Sequence, residues 1–319
     1  MNELISICVP VYNVAPYIER CVHSLMKQTY KNIEYIFVDD SSTDNSVALL
    51  QAVVSGYPER QSAVRVLRND RNHGLAYTRS VSIQAAQGEY VLCVDSDDYV
   101  ETNAVARLLA AAGTGVCDLV VGGYVDERGT SSEVVHVSEL QQCNDFLRAA
   151  LEDKCCPLWG KLIRRALFEL PSVHFAPEGL DYLEDRLVLL YLCGAARTIQ
   201  VIDEPLCHYV HRDDSVSAGK NEKHFLCLQQ YWQLADAYLA GRQLSDTYLS
   251  VTRRQKILDK VHLLHFCDDI SVCRRYADLF ADEEGEVSDL SISLGLRVTR
   301  TLVKWRWWGV LRLYKRLVK

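Results

Sequence analysis

Apolar residues in the first 130 positions follow two alternating spacings. Mainly apolar runs at Ile5 to Val11, Ile33 to Val38 and Glu89 to Val94 predict strands covered on both faces, and "VRVLRND" at 64–70 predicts another. Between them, Pro16 to Gln28, about Asp44 to Val54, and Gly74 to Gln87 carry helical spacing. In the first of these, Tyr17, Ile18, Cys21, Val22, Leu25 and Met26 fall on one face. Strand–helix alternation with short connections predicts an α/β fold built on a parallel, doubly wound sheet.

The pattern then changes. Residues 116–138, around "DLVVGGYVDE", predict further strands, and Leu183 to Leu192 predicts a helix. "TIQVIDEPLCHYVHRDDSVS" reads as a strand, a proline break and a polar loop. Beyond Lys220 the spacing is helical to the end, so a soft boundary falls near 218.

Composition adds bounds. A chain of 319 residues with 49% apolar and 24% charged residues can bury one large core or two smaller ones. A formal net charge of −7 argues against a nucleic-acid binder, which would show a basic face. The twelve cysteines form no C-x-x-C pair, and Cys8, Cys93 and Cys193 lie inside apolar runs, so they read as reduced, buried thiols. The adjacent Cys155 and Cys156 receive no role. "MNELISICVPVYN" lacks the basic and apolar regions of a signal peptide, and no run of 18 apolar residues predicts a membrane span.

Ligands bind outside the carboxyl ends of the strands in such sheets. Those ends read "VPVYN", "VDDSSTD" and "VDSDD". Asp95, Asp97 and Asp98 crowd one end, and like charges about 5 Å apart repel by roughly 3 kcal/mol at an effective dielectric near 20. They can share protons, cap the next helix, or hold a cation; oxygen ligands suit Mg²⁺ or Mn²⁺. At the second acidic end, Asp39 and Asp40 can accept from the N–H edge of a base, and Asp44 suits the helix N-cap. Tyr12 can stack on a base or simply pack. Arg79, one to two turns into the helix after Gly74, can reach phosphate or pair with the aspartates.

"SICVPVYNVAPYIERCVHSLMKQTYKNIEYIFVDDSSTDNS", then "NHGLAYTRS", then "GEYVLCVDSDDYV", resembles glycosyltransferase family 2. Members of that family typically read S-x-x-x-P-x-Y-N, V-D-D-G-S-x-D, G-x-x-x-A-R-N and G-E-Y-x-x-x-x-D-S-D-D in this order. The resemblance covers roughly residues 4–218. It implies the GT-A fold, a mixed, mainly parallel sheet flanked by helices, followed here by a helical C-terminal extension at 219–319. It further implies a nucleotide-sugar half to about residue 130 and an acceptor half from 131 to 218. By the same resemblance, Tyr12 and Asp40 hold the nucleobase, with Pro10 and Asp39 beside it. Asp95 lies near the donor ribose, with Ser96 next to it, and Asp97 is the principal metal ligand. "GLDYLEDRLVLLYL" resembles the acceptor-side acidic pair, with Asp185 as general base and Glu184 its neighbour; read without the family, the pair complements a helix dipole. "LWGKLIRRALF" resembles a segment lining the site. "PLCHYVHRDDSVS" resembles the closing loop, in which His211 or His208 completes the metal shell. His262 and His265, on a helix, read as ordinary packing or surface residues.

Three positions depart from the family: Ser41 for glycine, Ser80 for asparagine and Gly160 for asparagine. They bear on donor-sugar identity. The implied reaction is metal-dependent, inverting transfer of a sugar, with uridine diphosphate the expected carrier, to a hydroxyl of a glycan or lipid-linked acceptor in cell-surface polysaccharide synthesis. A nucleotidyltransferase would need a basic, glycine-rich loop after the first strand, and "PVYNVAPY" has neither feature. A non-catalytic nucleotide- or glycan-binding relative is the other alternative.

The tail at 297–319 holds Arg297, Arg300, Lys304, Arg306, Arg312, Lys315, Arg316 and Lys319 and no acidic residue. Removing those eight charges from the total of −7 leaves −15 on the rest of the chain. Trp305, Trp307 and Trp308 interleave with them, which suits an anionic membrane interface. A helix packed on the catalytic domain or on a second subunit is the alternative. The expectation is a cytoplasmic protein, peripheral at the inner face of the membrane.

Overall fold

The computed structural model describes residues 2–113, 117–141, 145–154, 157–212, 220–242, 246–284, 290 and 292–318. The chain forms two compact units, Met1–Arg212 and Asp213–Lys319. The polar loop expected after Arg212 lies outside the described residues, as do Cys155 and Cys156.

In the first unit, β1 (Ile5–Val11), β2 (Ile33–Asp39), β3 (Val64–Arg68) and β4 (Tyr90–Cys93) run parallel in the order β3-β2-β1-β4. Every residue of β1, β2 and β4 is buried, which is why they are mainly apolar, with Ser6, Glu34 and Asp39 the polar exceptions. Helix α1 (Ile18–Met26) buries Ile18, Cys21, Val22, Leu25 and Met26, the face that the spacing marks. Helices α2 (Ser46–Ser55) and α3 (Leu75–Gln84) follow β2 and β3. Asp44 serves the start of α2 from one position before the N-cap, Asn45: its Oδ1 accepts from the Ser46 amide at 3.0 Å. Its Oδ2 accepts from the Ala15 amide at 3.0 Å, so it also fastens the loop after β1.

The sheet continues through β5 (Tyr99–Val100), β6 (Leu119–Arg128), β7 (Ser131–Val135), β8 (Lys161–Arg164) and β9 (Ile199–Val210). β8 joins β4 and β6 antiparallel to both, β6 and β9 are parallel, and β5 and β7 pair antiparallel with β9 and β6. Helix α4 (Ala104–Ala112) packs on this half, and α5 (Glu184–Ala195) precedes β9. The expected proline break is absent, because β9 runs through Pro205. The pairing slips instead between Gly122 and Tyr124 of the neighbouring strand. A bulge of this kind accommodates a residue that cannot donate to the ladder. Pro205 pairs with Gly123, where an added Cβ would lie 3.1 Å from the carbonyl oxygens of Glu204 and Val135.

The second unit is helical, with α6 (Glu222–Ala240), α7 (Asp246–Phe266), α8 (Ile270–Arg275), α9 (Leu294–Lys304) and α10 (Trp308–Val318). Phe225, Tyr231, Trp232, Ile257, Val261, Leu264 and Leu311 are buried. His265 pairs with Thr299 at 2.8 Å and His262 lies against Phe266, so both pack as expected. The nine described free cysteines are buried. Among the described residues, no helix is long and apolar enough to cross a membrane.

Candidate active site

The carboxyl ends of β1, β2 and β4 lie side by side, and the chain leaves each strand through polar residues. Tyr12 is 44% exposed just past β1, and Pro10 is buried in the ladder opposite Val38. At the end of β2, Asp40 carries donors on both oxygens. Its Oδ1 accepts from Asn69 Nδ2 at 2.7 Å and the His73 amide at 2.9 Å, and its Oδ2 accepts from the Gly74 amide at 2.8 Å. Asp40 therefore anchors the turn that starts α3. Gly74 has φ 91, a conformation that favours glycine, and a Cβ there would displace the Asp181 carboxylate. Asp39 Oδ1 accepts from the Ser42 amide at 2.9 Å, while Arg68 Nη1 lies 2.9 Å from Oδ2.

Two of the sequence departures have a backbone meaning. Ser41 sits at φ 59, a left-handed conformation that glycine takes without strain; its Oγ donates to the Asn69 carbonyl at 2.8 Å. Gly160 sits at φ 71, which glycine and asparagine both tolerate. Ser80 Oγ donates to the Tyr77 carbonyl within α3.

The turn after β4 separates the crowded carboxylates. Ser96 is buried at its apex, and the Asp98 amide donates to the Asp95 carbonyl at 3.1 Å. Asp95 Oδ1 accepts from Arg79 Nη2 at 2.7 Å. Asp97 Oδ2 lies 2.9 Å from Arg212 Nε. Asp98 Oδ1 accepts from the Val210 amide at 2.8 Å, and its Oδ2 is buried without a hydrogen-bond partner. Burial, with Asp97 and Asp95 adding to it, pushes the Asp98 carboxyl up to about 9. Two arginines, and the burial that favours the neutral form of Asp98, thus relieve the repulsion that the sequence implies.

Arg79 is the buried hinge between the two sides. Its second amino group, Nη1, donates to Glu184 Oε1 at 2.7 Å. Burial opposes the charge on Arg79, but Asp95 and Glu184 more than offset it and raise its pKa. Glu184 opens α5 after Leu183, which adopts φ 70. Burial first, then Asp185, pushes Glu184 up to about 8, while Arg79 pulls it down. Asp185 is half-buried beside it, and its Oδ1 accepts from the Arg186 amide at 2.7 Å.

The histidines are engaged away from Asp97. His208 is stacked on Tyr99 with centroids 4.1 Å apart; its Nδ1 meets Glu127 and its Nε2 meets Glu101, both at 2.9 Å. His211 Nε2 lies 2.9 Å from Asp126 Oδ1. In place of the expected histidine, Arg212 faces Asp97 while its guanidinium stands 5.2 Å from the Tyr17 ring. Sequence reasoning passed over Arg212, although its position beside His211 in "YVHRDD" was a signal. Among the described residues, no group of three or more His, Cys, Asp or Glu forms a metal cage. Mg²⁺ and Mn²⁺ at phosphate sites need only one or two protein carboxylates. Asp97 is a partly exposed carboxylate oxygen donor whose charge is now met by Arg212, so it fits that simpler mode, whereas burial pushes the Asp98 carboxyl toward its neutral form.

The sequence model of the family described as Glycosyl transferase family 2 matches residues 6–169, half of the chain. The chain belongs to glycosyl transferase family 2. A relative, the uncharacterized glycosyltransferase EpsJ of Bacillus subtilis, is 32% identical over 274 residues, covering 80% of this chain and 76% of its own. The family 2 fold is matched by S. aureus TarS 1–349 in complex with UDP-GlcNAc, with TM-score 0.64 at 18% identity, covering 96% of this chain and 92% of that one. The mannosyltransferase PcManGT of Pyrobaculum calidifontis, in complex with GDP-Man and Mn²⁺, aligns with TM-score 0.55 at 14% identity, covering 99% and 85%. These likenesses establish the GT-A architecture of this family 2 glycosyltransferase, with helices at its C-terminus.

Proposed function

We propose that this glycosyltransferase transfers a sugar, with inversion, from a uridine diphosphate donor to a hydroxyl of a glycan or lipid-linked acceptor in cell-surface polysaccharide synthesis. The observation that carries the reading is the single guanidinium of Arg79 joining Asp95 on the donor strand to Glu184 on the acceptor helix. That contact ties the residues read as the donor side to those read as the acceptor side, which supports a single shared site. TarS and PcManGT, described with different nucleotide sugars, support the donor class and leave the base to experiment.

In this reading Tyr12 offers its exposed ring to the base, Pro10 and Asp39 form the wall, and Asp40 fixes the loop beside it. Asp40 Oδ2 has one donor and keeps a second acceptor direction for a base N–H. Asp95 and Ser96 border the ribose. Asp97 would hold Mn²⁺ or Mg²⁺, which when bound neutralises charge on the departing diphosphate. His208 and His211 are paired with Glu101, Glu127 and Asp126, so this reading gives them no part in holding the metal. Asp185 accepts the proton of the acceptor hydroxyl as its oxygen bonds to the anomeric carbon and the bond to diphosphate breaks. Glu184 holds Asp185 in place through Arg79. The basic tail would keep the enzyme on the inner face of an anionic membrane; association through the C-terminal helices is the competing use of that surface.

A panel of nucleotide sugars with Mn²⁺, scored for nucleotide release and thermal stabilisation, tests the donor. Asp185→Asn should bind donor almost normally and lose about 10² to 10⁴ in transfer, the usual worth of a general base. Stabilisation by a donor without turnover on any acceptor would instead favour a binding relative. Wild-type transfer by the mutant would move the base elsewhere.

A further inference from the structure

Helices α9 and α10 meet at a turn that patterning alone does not mark. The Arg306 amide donates to the Val303 carbonyl at 3.0 Å and the Trp307 amide to the Leu302 carbonyl at 2.9 Å, the paired bonds of a Schellman stop. Its left-handed position, usually glycine, is held by Arg306 at φ 56. A bulky side chain there is strained, and such strain clusters at ligand sites. The guanidinium of Arg306 stands 5.8 Å from the Trp308 ring centroid, and that of Arg274, from α8, stands 5.7 Å from the same ring. With Trp307, Gly309 and Val310 these residues line one open recess.

We propose that this recess is a headgroup site for an anionic phospholipid, a reading that rests on the membrane role of the tail. Arg274 and Arg306 supply two cations for a phosphodiester. Asp278 pairs with Arg306, and Arg274 adds a second positive charge to the rim. Trp307, 56% exposed, and Val310 form an apolar lip for the glycerol and first acyl carbons. Val310, Leu313 and Leu317 continue the exposed apolar face at positions i, i+3 and i+7, while Leu311 and Lys315 are buried. Helix α10 thus has two faces, and only one is packed. Lys315 is not a membrane cation, because its Nζ caps the end of α7 through the Leu264 and Cys267 carbonyls. Among the described residues of the tail, Arg297, Lys304, Arg306, Arg312 and Arg316 are exposed, and the tail sequence holds no acidic residue. A second copy docked symmetrically at the recess would bring Arg274 and the exposed basic residues of one tail toward those of the other, whereas an anionic leaflet complements them.

The test uses the full chain with vesicles of phosphatidylglycerol in phosphatidylcholine, and of phosphatidylcholine alone, at low and high salt. Wild type should sediment only with the anionic vesicles, and less at high salt. Arg274→Gln and Arg306→Gly should each weaken partitioning by about fivefold, the worth of one basic residue at an anionic surface. Arg306→Gly should melt at or above wild type, since glycine relieves the turn, so a loss of binding is not a loss of fold. If wild type binds and both variants bind equally well, the recess is wrong while the tail reading stands. If wild type stays in the supernatant at low salt, both fail. Equal competition by soluble glycerol phosphate would assign the recess to a small phosphate ligand, and a dimer broken by Trp307→Ala would assign it to a second copy. Either result overturns the headgroup site.

Discussion

Asp97 and Asp98 are neighbours in sequence with opposite electrostatic fates. Asp97 faces Arg212, whereas Asp98 is buried against Asp97 and Asp95 with the Val210 amide as its one donor and Arg20 the cation that lowers it. Asp97→Asn replaces a charged oxygen ligand with a neutral one. Calorimetric titration with uridine diphosphate should show Mn²⁺-dependent tightening in wild type and little in the mutant; equal metal dependence would remove Asp97 from the role. For Asp98 the folded pKa, about 9, lies above the ordinary carboxylate value. Its stabilising effect is therefore full at low pH and is lost as pH rises toward 9. In chelator, the melting temperature of wild type should fall more between pH 5 and 9 than that of Asp98→Asn, which mimics the protonated side chain. Parallel melting curves would mean that Asp98 stays ionised.

One residue fastens α3 to β4 and α5 at once. Arg79 reaches both carboxylates because guanidinium presents two amino groups in a fixed fork, which an ammonium lacks. Arg79→Lys keeps the charge and should lose one of the two contacts. The expected result is a fall in kcat of about 10²-fold, the scale of a small misplacement of a catalytic group, with a smaller change in donor KM. An unchanged kcat would show that α5 is positioned without Arg79. The start of α5 is otherwise poorly prepared by its sequence. Leu183 takes a left-handed backbone and gives no side-chain cap, so the helix start depends on Glu184 being held from α3.

At the scale of the molecule, α9 and α10 are part of the second unit's structure as well as its surface. Leu302, Val303 and Leu311 are buried, and Lys315 caps α7. A chain ended at Ser293 removes those apolar side chains, each worth about 1.5–3 kcal/mol when fully buried. Differential scanning calorimetry of that chain should show a lost or much lowered transition. An unchanged thermogram would show the tail to be a dispensable attachment. Membrane binding is accordingly better tested by surface substitutions than by truncation.

The strands and helices of the first 95 residues are legible because each buried strand is a mainly apolar run and each amphipathic helix keeps a 3.6-residue period. The acidic strand ends mark the site for the same reason: charged residues at the end of a buried strand need compensation. Sequence alone also carries the family through its ordered motifs. It misplaces the break at Pro205, because a proline stops a strand only where the neighbouring ladder needs its N–H, and the bulge opposite decides that. It cannot assign His208 and His211, since their partners Glu101, Glu127 and Asp126 come from β6 and the residue after β5. Nor can it show that Arg79 spans 105 residues to Glu184 or that Arg212 reaches Asp97. Periodicity encodes which face of an element is buried, while the pairing of charges depends on which elements the closed sheet brings together.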